Sequence, residues 1–276
     1  MQMEEFTMNK GLQLGGGGKS SRSNGFSGIK QKIFAFTLAE TLIVMGVIGI
    51  VSALTLPNLN SSTGEKETVA KVKKIYQNLN DALGRAEAVY GPYEDWFVDL
   101  GISDADVTLR SKRVAERLTE FMKVSKDCKQ VPNSGCFTSG KVKLITGVES
   151  TNEYENLTPS QPPYNIITAD GTSMSFRTID IVIDIDGPNK GPYTYGKDIF
   201  VFELDLNYDG VLAPNGMSDP FKILLRNVNP KSSRPAGDYA AAWIIRFDNM
   251  DYLKLTDSSG KCPNGTTISE ANPRCK

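Results

Sequence analysis

One loop of the chain combines residue types and spacing that suit cation binding. The segment Asp205-Leu-Asn207-Tyr-Asp209-Gly210 matches the first half of an EF-hand calcium loop, in which alternate oxygen ligands converge and glycine allows the sharp turn. The bidentate glutamate expected at the twelfth position is replaced by Gly216. Asp205, Asn207 and Asp209 are therefore candidate calcium ligands, and the same residues equally fit a solvated turn after a strand. The shorter acidic turn at 184–187 has the same two interpretations.

The four cysteines form two pairs that are close in sequence, Cys128 with Cys136 and Cys262 with Cys275. An even number of cysteines in such pairs, after a membrane segment, favours two disulfides in an oxidising compartment, with three connectivities possible. Free buried thiols are the alternative. A four-cysteine zinc site is less favoured because neither pair has the short spacing of such sites.

The composition excludes several classes of function. The chain has 276 residues and no histidine, so catalytic triads built on histidine and mixed cysteine–histidine zinc sites are excluded. Its formal net charge of −1 gives no reason to expect nucleic acid as a partner. No nucleophile is accompanied by a base, so we predict that the protein is not an enzyme and has no catalytic residue.

The segment from Phe36 to Leu56 is almost entirely apolar and contains one carboxylate, Glu40. Its 21 residues are enough to cross a bilayer, which takes about 20. An acid inside such a segment is costly unless its charge has a partner or reaches the membrane surface. A secretory signal cleaved after Ala53 is the alternative, but the apolar run is longer than the core of a usual signal.

A second helical pattern follows the apolar segment. Pro57 is expected to break the helix, which then resumes with an apolar stripe at steps of three and four from Val69 to Tyr90 and ends at Gly91. The stripe predicts packing against a sheet of the same subunit, with a partner helix as the alternative. A shorter helix is predicted near 108–123.

The remaining pattern is typical of strands. Tyr164–Ala169 and Thr172–Arg177 flank Asp170-Gly171, which is a strong signal for a two-residue hairpin. Further strands are predicted at 179–185, 198–204, 221–225 and 240–247. The order of helix and then antiparallel sheet predicts an α+β domain attached to a membrane helix.

The residues around Glu40 resemble the amino-terminal signature of type IV pilins and type II secretion pseudopilins. The match is Lys32-Ile-Phe-Ala35-Phe36-Thr-Leu-Ala-Glu40, together with Pro57. In this family a leader ending in a small residue, usually glycine, is cleaved by a membrane-bound prepilin peptidase, which also methylates the new amine. The resemblance implies cleavage between Ala35 and Phe36; here alanine replaces the usual glycine, and the leader is long.

The resemblance also implies a role for Glu40. In the family's filaments the corresponding glutamate neutralises the terminal amine of a neighbouring subunit, here that of Phe36, and so sets the register of assembly. Four segments follow: a leader peptide at 1–35, a transmembrane and filament-core helix at 36–56, an exposed continuation of this helix at 57–91, and a pilin-like α+β head at 92–276. The C-terminal cysteine pair resembles the disulfide-bounded loop of many pilins.

The expected function is that of a prepilin-like structural subunit of a type IV pilus or a type II secretion pseudopilus. The implied partners are the prepilin peptidase, other pilin or pseudopilin subunits, the inner-membrane assembly machinery and the lipid bilayer. The implied location is the bacterial inner membrane, in a single pass with the C-terminal domain outside the cytoplasm, and then the filament. The sequence identifies no cofactor other than calcium, which is a candidate. The alternative is a membrane-anchored, calcium-dependent binding or adhesion protein that does not polymerise.

Overall fold

The computed structural model describes residues 37–100, 107–131, 134–138, 141–150, 162–177, 179–204 and 212–275, without the side chains of 52–62, 99–100 and 107. The chain divides into two compact units, Met1–Ser52 and Ala53–Lys276. Helix α1 runs over Leu38–Tyr90 and contributes to both. Among the residues described in this way, no helix combines the length and the apolarity needed to span a bilayer.

The assignment of α1 corrects the expected break at Pro57, because the helix continues through this residue. Proline removes one backbone donor and crowds the preceding turn, so it bends some helices without ending them. The end of the helix is as predicted, since Gly91 has a positive φ of 80° and follows the last helical residue.

The fold of the second unit is α+β, as predicted, with a six-stranded antiparallel sheet in the order β1-β2-β3-β4-β5-β6. Every neighbouring pair of strands is antiparallel, so the sheet is a meander. The strands are β1 Val124–Lys129, β2 Tyr164–Thr168, β3 Ser173–Phe176, β4 Asp180–Asp184, β5 Ile199–Leu204 and β6 Leu212–Pro214. The predicted hairpin is confirmed, since β2 and β3 pair across the turn at Asp170-Gly171.

Two predicted strands are wrong, because 221–225 and 240–247 are helical. Helix α3 covers Phe221–Val228 and α4 covers Ala240–Phe247. Short apolar runs do not distinguish the two structures, but Leu224 and Val228 are buried at a helical spacing of four. Three consecutive alanines, which favour helix, begin α4.

The remaining helices complete the unit. Helix α2 covers Val107–Thr119, close to the predicted position, and short 3₁₀ helices occupy Tyr93–Leu100 and Asp251–Lys254. The main core lies between the sheet and the helices, and both tryptophans, Trp96 and Trp243, are fully buried in it. The predicted stripe of α1 packs into this core, where Tyr76 stacks on Phe202 of β5 with ring centroids 5.7 Å apart.

Candidate functional site

The first part of α1, from Leu38 to Val51, has an apolar surface that its own unit leaves uncovered. Nine large hydrophobic side chains in this segment are each 52–78% exposed. Successive helical residues are about 100° apart, so these side chains surround the helix on all sides. They are Leu38, Leu42, Ile43, Val44, Met45, Val47, Ile48, Ile50 and Val51.

Glu40 lies in the first turn of α1 and is bonded to Thr37. Its Oε2 accepts hydrogen bonds from the backbone N–H and the hydroxyl of Thr37, both at 2.9 Å, and its own N–H donates to the Thr37 hydroxyl at 3.2 Å. This is the reciprocal pattern of a capping box. The sequence analysis missed it, although Thr37-Leu-Ala-Glu40 has the required spacing of three.

The capping box engages only one of the two carboxylate oxygens of Glu40. Among the described residues, Oε1 accepts no hydrogen bond, so it is open to a donor from another molecule. Ala35 and Phe36, where the sequence predicts cleavage, lie outside the described residues.

The second part of α1, from Val69 to Tyr90, has one buried and one exposed face. Val72, Leu79, Ala82 and Ala86 are fully buried. On the exposed side, lysines reach the turns of the head: Lys71 Nζ lies 3.4 Å from Asp186 Oδ1 and Lys74 Nζ lies 3.5 Å from Asp170 Oδ2. Buried packing and ion pairs together attach this part of the helix to the sheet.

The C-terminal segment contacts the same helix through a chain of polar groups. Lys254 Nζ lies 2.8 Å from Glu65 Oε2 and 2.6 Å from Asp251 Oδ1. Asp251 Oδ2 in turn accepts the backbone N–H of Cys275 at 2.9 Å. Since Cys275 is disulfide-bonded, these contacts connect a crosslinked loop to α1 near Glu65.

Two disulfides are present, as predicted. They join Cys128 to Cys136, with eight residues of separation, and Cys262 to Cys275, with thirteen. Each cysteine therefore pairs with its neighbour in sequence, which selects one of the three connectivities that the sequence leaves open.

The predicted calcium ligands Asp205, Asn207 and Asp209 lie outside the described residues. In the part of the chain that is described, no three Asp, Glu, Cys or His side chains form a group that could hold a metal ion. The acidic turn after β4 is different, because Asp184 is fully buried. Burial raises the pKa of Asp184 to about 7, and repulsion from Asp198 adds to the rise. Hydrogen bonds from the backbone N–H groups of Asp186 and Gly187 act in the opposite direction and lower the pKa.

A groove of about 370 Å³ opens between α1 and the β2–β3 hairpin. Ile75 and Met174 contribute buried apolar surface, and charged residues are also part of its lining. Two of the basic groups are engaged within the chain, Arg85 with Asp81 at 3.0 Å and Lys74 with Asp170 at 3.5 Å. The groove therefore offers mostly compensated charge to a ligand.

Comparisons of the chain with protein-family models, with curated proteins and with solved structures find no match.

Proposed function

We propose that the protein is a prepilin-like structural subunit, anchored in the membrane by its N-terminal helix and then assembled through that helix into a type IV pilus or a secretion pseudopilus. The observation that carries this proposal is the largely apolar, uncovered surface of Leu38–Val51. Nine large side chains at about 1.5–3 kcal/mol each for full burial represent a free energy of more than about 10 kcal/mol. A surface of this kind requires lipid or other apolar helices around it.

The arrangement of Glu40 supports assembly through helix–helix contact. A carboxylate in an apolar bundle needs an opposite charge, and cleavage between Ala35 and Phe36 would create one at the amine of Phe36. Oε2 of Glu40 is occupied by the capping box, whereas Oε1 has no acceptor role within the described chain. Glu40 is thus able to cap its own helix and to bind the amine of a neighbouring subunit at the same time.

The capping box is compatible with the proposed cleavage position. The N–H of Thr37 that donates to Glu40 belongs to the peptide bond between Phe36 and Thr37. Cleavage before Phe36 leaves this bond intact, so the cap survives processing. The head then follows as the α+β unit that would form the outer part of the filament.

Filament yield in the native host tests the role of Glu40. Glu40→Gln keeps an oxygen that can accept the Thr37 hydrogen bonds but removes the charge, so the variant is expected to insert into the membrane normally and to lose about tenfold or more of its sheared filament fraction. Thr37→Ala is the matched control, because it removes the hydroxyl of the cap and keeps the carboxylate. Equal filament yields for Glu40→Gln and the unmodified protein, measured by immunoblot and electron microscopy, would contradict the proposal.

A further inference from the structure

The two faces of the sheet differ in how their polar groups are satisfied. Residues alternate between faces along a strand, and Ile166, Met174, Phe176 and Ile183 pack into the main core beneath α1. The alternate residues lie on the opposite side, here called the far face. Its residues include Asn165, Ile167, Ser173, Ser175, Val182, Asp184, Ile199 and Val201.

One half of the far face is apolar and packed. Val182, Ile199 and Val201 form a second buried cluster with Val142 and Tyr195. The other half contains four polar residues, here called the polar row: Asn165, Ser173, Ser175 and Asp184. These residues are also buried, since the side chain of Asn165 is 5% exposed and the other three are 0% exposed.

Each member of the polar row has a buried side-chain oxygen that has no hydrogen-bond partner among the described residues. These atoms are Asn165 Oδ1, Ser173 Oγ, Ser175 Oγ and Asp184 Oδ2. Leaving such an atom unsatisfied costs about 1–3 kcal/mol, and folded proteins rarely do so repeatedly in one place. The row therefore presents a set of oxygens that a bound species would satisfy.

The strand register brings these oxygens together in facing pairs. Ser173 is directly opposite Asp184, and Asn165 is directly opposite Ser175. Opposite residues of an antiparallel pair have Cβ atoms about 4.5–5.5 Å apart. Within the described residues, Ser173 Oγ and Asp184 Oδ2 form no hydrogen bond with each other, so a small species is able to bridge this pair of opposite residues. Asn165 and Ser175 form a second pair, two residues further along β3 than Ser173.

The charges around the row favour a cation. Asp184 Oδ1 accepts the N–H groups of Asp186 and Gly187, both at 3.1 Å, which leaves Oδ2 unbonded. Asp198 adds a second buried carboxylate, close enough to repel Asp184, and its oxygens accept the backbone N–H groups of Tyr193 and Thr194. Neither Asp184 nor Asp198 forms an ion pair within the described residues.

The neighbouring cations are engaged elsewhere. Lys71 pairs with Asp186 at 3.4 Å. Lys126, which lies opposite Ile167 on β1, donates its amine to the carbonyl of Ser134 at 2.8 Å. Within the described residues, these two lysines therefore do not balance the carboxyl groups of Asp184 and Asp198.

We propose that the polar row of the far face binds a divalent hard cation, with Asp184 Oδ2 and Ser173 Oγ as direct ligands and with water joining it to Ser175 and Asn165. The charge of the cation balances Asp184 and Asp198. Calcium suits this set, because it accepts carboxylate, amide and water oxygens in irregular geometry, whereas magnesium demands a near-ideal octahedron. The site is separate from the loop at 205–210, and it does not depend on assembly into a filament.

Calcium-dependent thermal unfolding of the full chain in detergent at pH 8 tests this site. With one direct carboxylate the affinity belongs to the weak millimolar class, so about 10 mM calcium is expected to raise the unfolding midpoint by about 3 °C relative to chelator. Asp184→Asn keeps the Oδ1 acceptor and removes the charged ligand, and its shift should fall below about 1 °C. Ser173→Ala should reduce the shift partially.

Asp81→Asn is the matched control, since it removes an exposed carboxylate of α1 that pairs with Arg85, and its shift should equal that of the unmodified protein. Asp209→Asn removes a carboxylate from the other candidate loop and so distinguishes the two sites. An equal shift in Asp184→Asn overturns the proposal, as does a shift lost only in Asp209→Asn. No shift in the unmodified protein at pH 8 also overturns it and indicates that the row holds water or a proton on Asp184. If Asp184→Asn does not fold, calcium binding to Ser173→Ala is measured by equilibrium dialysis instead. Binding equal to that of the unmodified protein would contradict the assignment of Ser173 as a ligand.

Discussion

The two parts of helix α1 have the same secondary structure and opposite surfaces. From Leu38 to Val51 the large side chains are apolar and more than half exposed on every side. From Val69 to Tyr90 one face is buried in the core and the other carries lysines paired with the head. A helix of uniform backbone therefore carries two kinds of surface, and the periodicity of its side chains distinguishes them.

The position of charge reinforces this difference. Glu40 is the one ionisable residue between Phe36 and Gly64, whereas Glu65, Lys66 and Glu67 begin a densely charged stretch. The second part is stabilised by its own chain. The first part leaves its apolar surface exposed and one oxygen of Glu40 without a donor among the described residues, as the proposed role in a membrane or an assembly would require.

Truncating one buried and one exposed side chain of α1 gives the largest expected contrast. Leu79→Ala removes a fully buried side chain, so the free energy of unfolding of the head should fall by about 2–5 kcal/mol. Ile43→Ala changes a side chain that is 67% exposed and should alter head stability by less than about 0.5 kcal/mol. Chemical denaturation followed by the fluorescence of the buried tryptophans measures both, and equal losses would remove the distinction between the two parts.

Removing the C-terminal disulfide should have the next largest effect. Replacing both Cys262 and Cys275 by serine opens a loop with thirteen residues of separation, which corresponds to about 3 kcal/mol of stability by loop entropy. The loss should appear as faster hydrogen exchange of α1 near Glu65, because Cys275 is bonded to Asp251 in the chain of contacts that reaches this residue. Exchange at Leu38–Val51 should not change, and if it rises equally there, the two parts are not independently stabilised.

Breaking the ion pair between the C-terminal segment and α1 should have the smallest effect. Lys254→Met removes the partner of Glu65 and Asp251, and the partly exposed pairs are expected to contribute about 1 kcal/mol or less. Arg85→Met is the matched control, because its pair with Asp81 lies entirely within α1. A loss of several kcal/mol for Lys254→Met alone would make this contact, rather than apolar packing, the main attachment of the helix.

The parts of the fold that were predictable are those with clear periodicity or turn chemistry. Three features of the sequence predict observed elements directly. They are the apolar residues at steps of three and four along α1, the turn residues Asp170-Gly171 of the hairpin, and the apolar runs of strands β4 and β5. Helices α3 and α4 were predicted as strands because eight residues contain too few turns for periodicity to decide. Strand β1 was missed because most of its residues are polar and exposed.

The candidate sites were predictable to different degrees. The cysteine count and spacing predicted two disulfides and left their connectivity open, which the structure settles. The apolar run around Glu40 made this residue unusual, and its capping box with Thr37 was readable from four consecutive residues. The polar row of the far face was not predictable from the sequence, because strand register brings Asn165, Ser173 and Asp184 onto one face of the sheet. Pairings between separate strands depend on the complete sheet, which a local pattern does not specify.

The mass of the mature chain, purified from membranes of the native host, tests the central claim most directly. The account predicts a chain that begins at Phe36 and carries one additional methyl group on its amine. An intact chain beginning at Met1, or a chain beginning after Ala53, would contradict it, because the amine proposed to bind Glu40 of a neighbouring subunit would then not exist at Phe36.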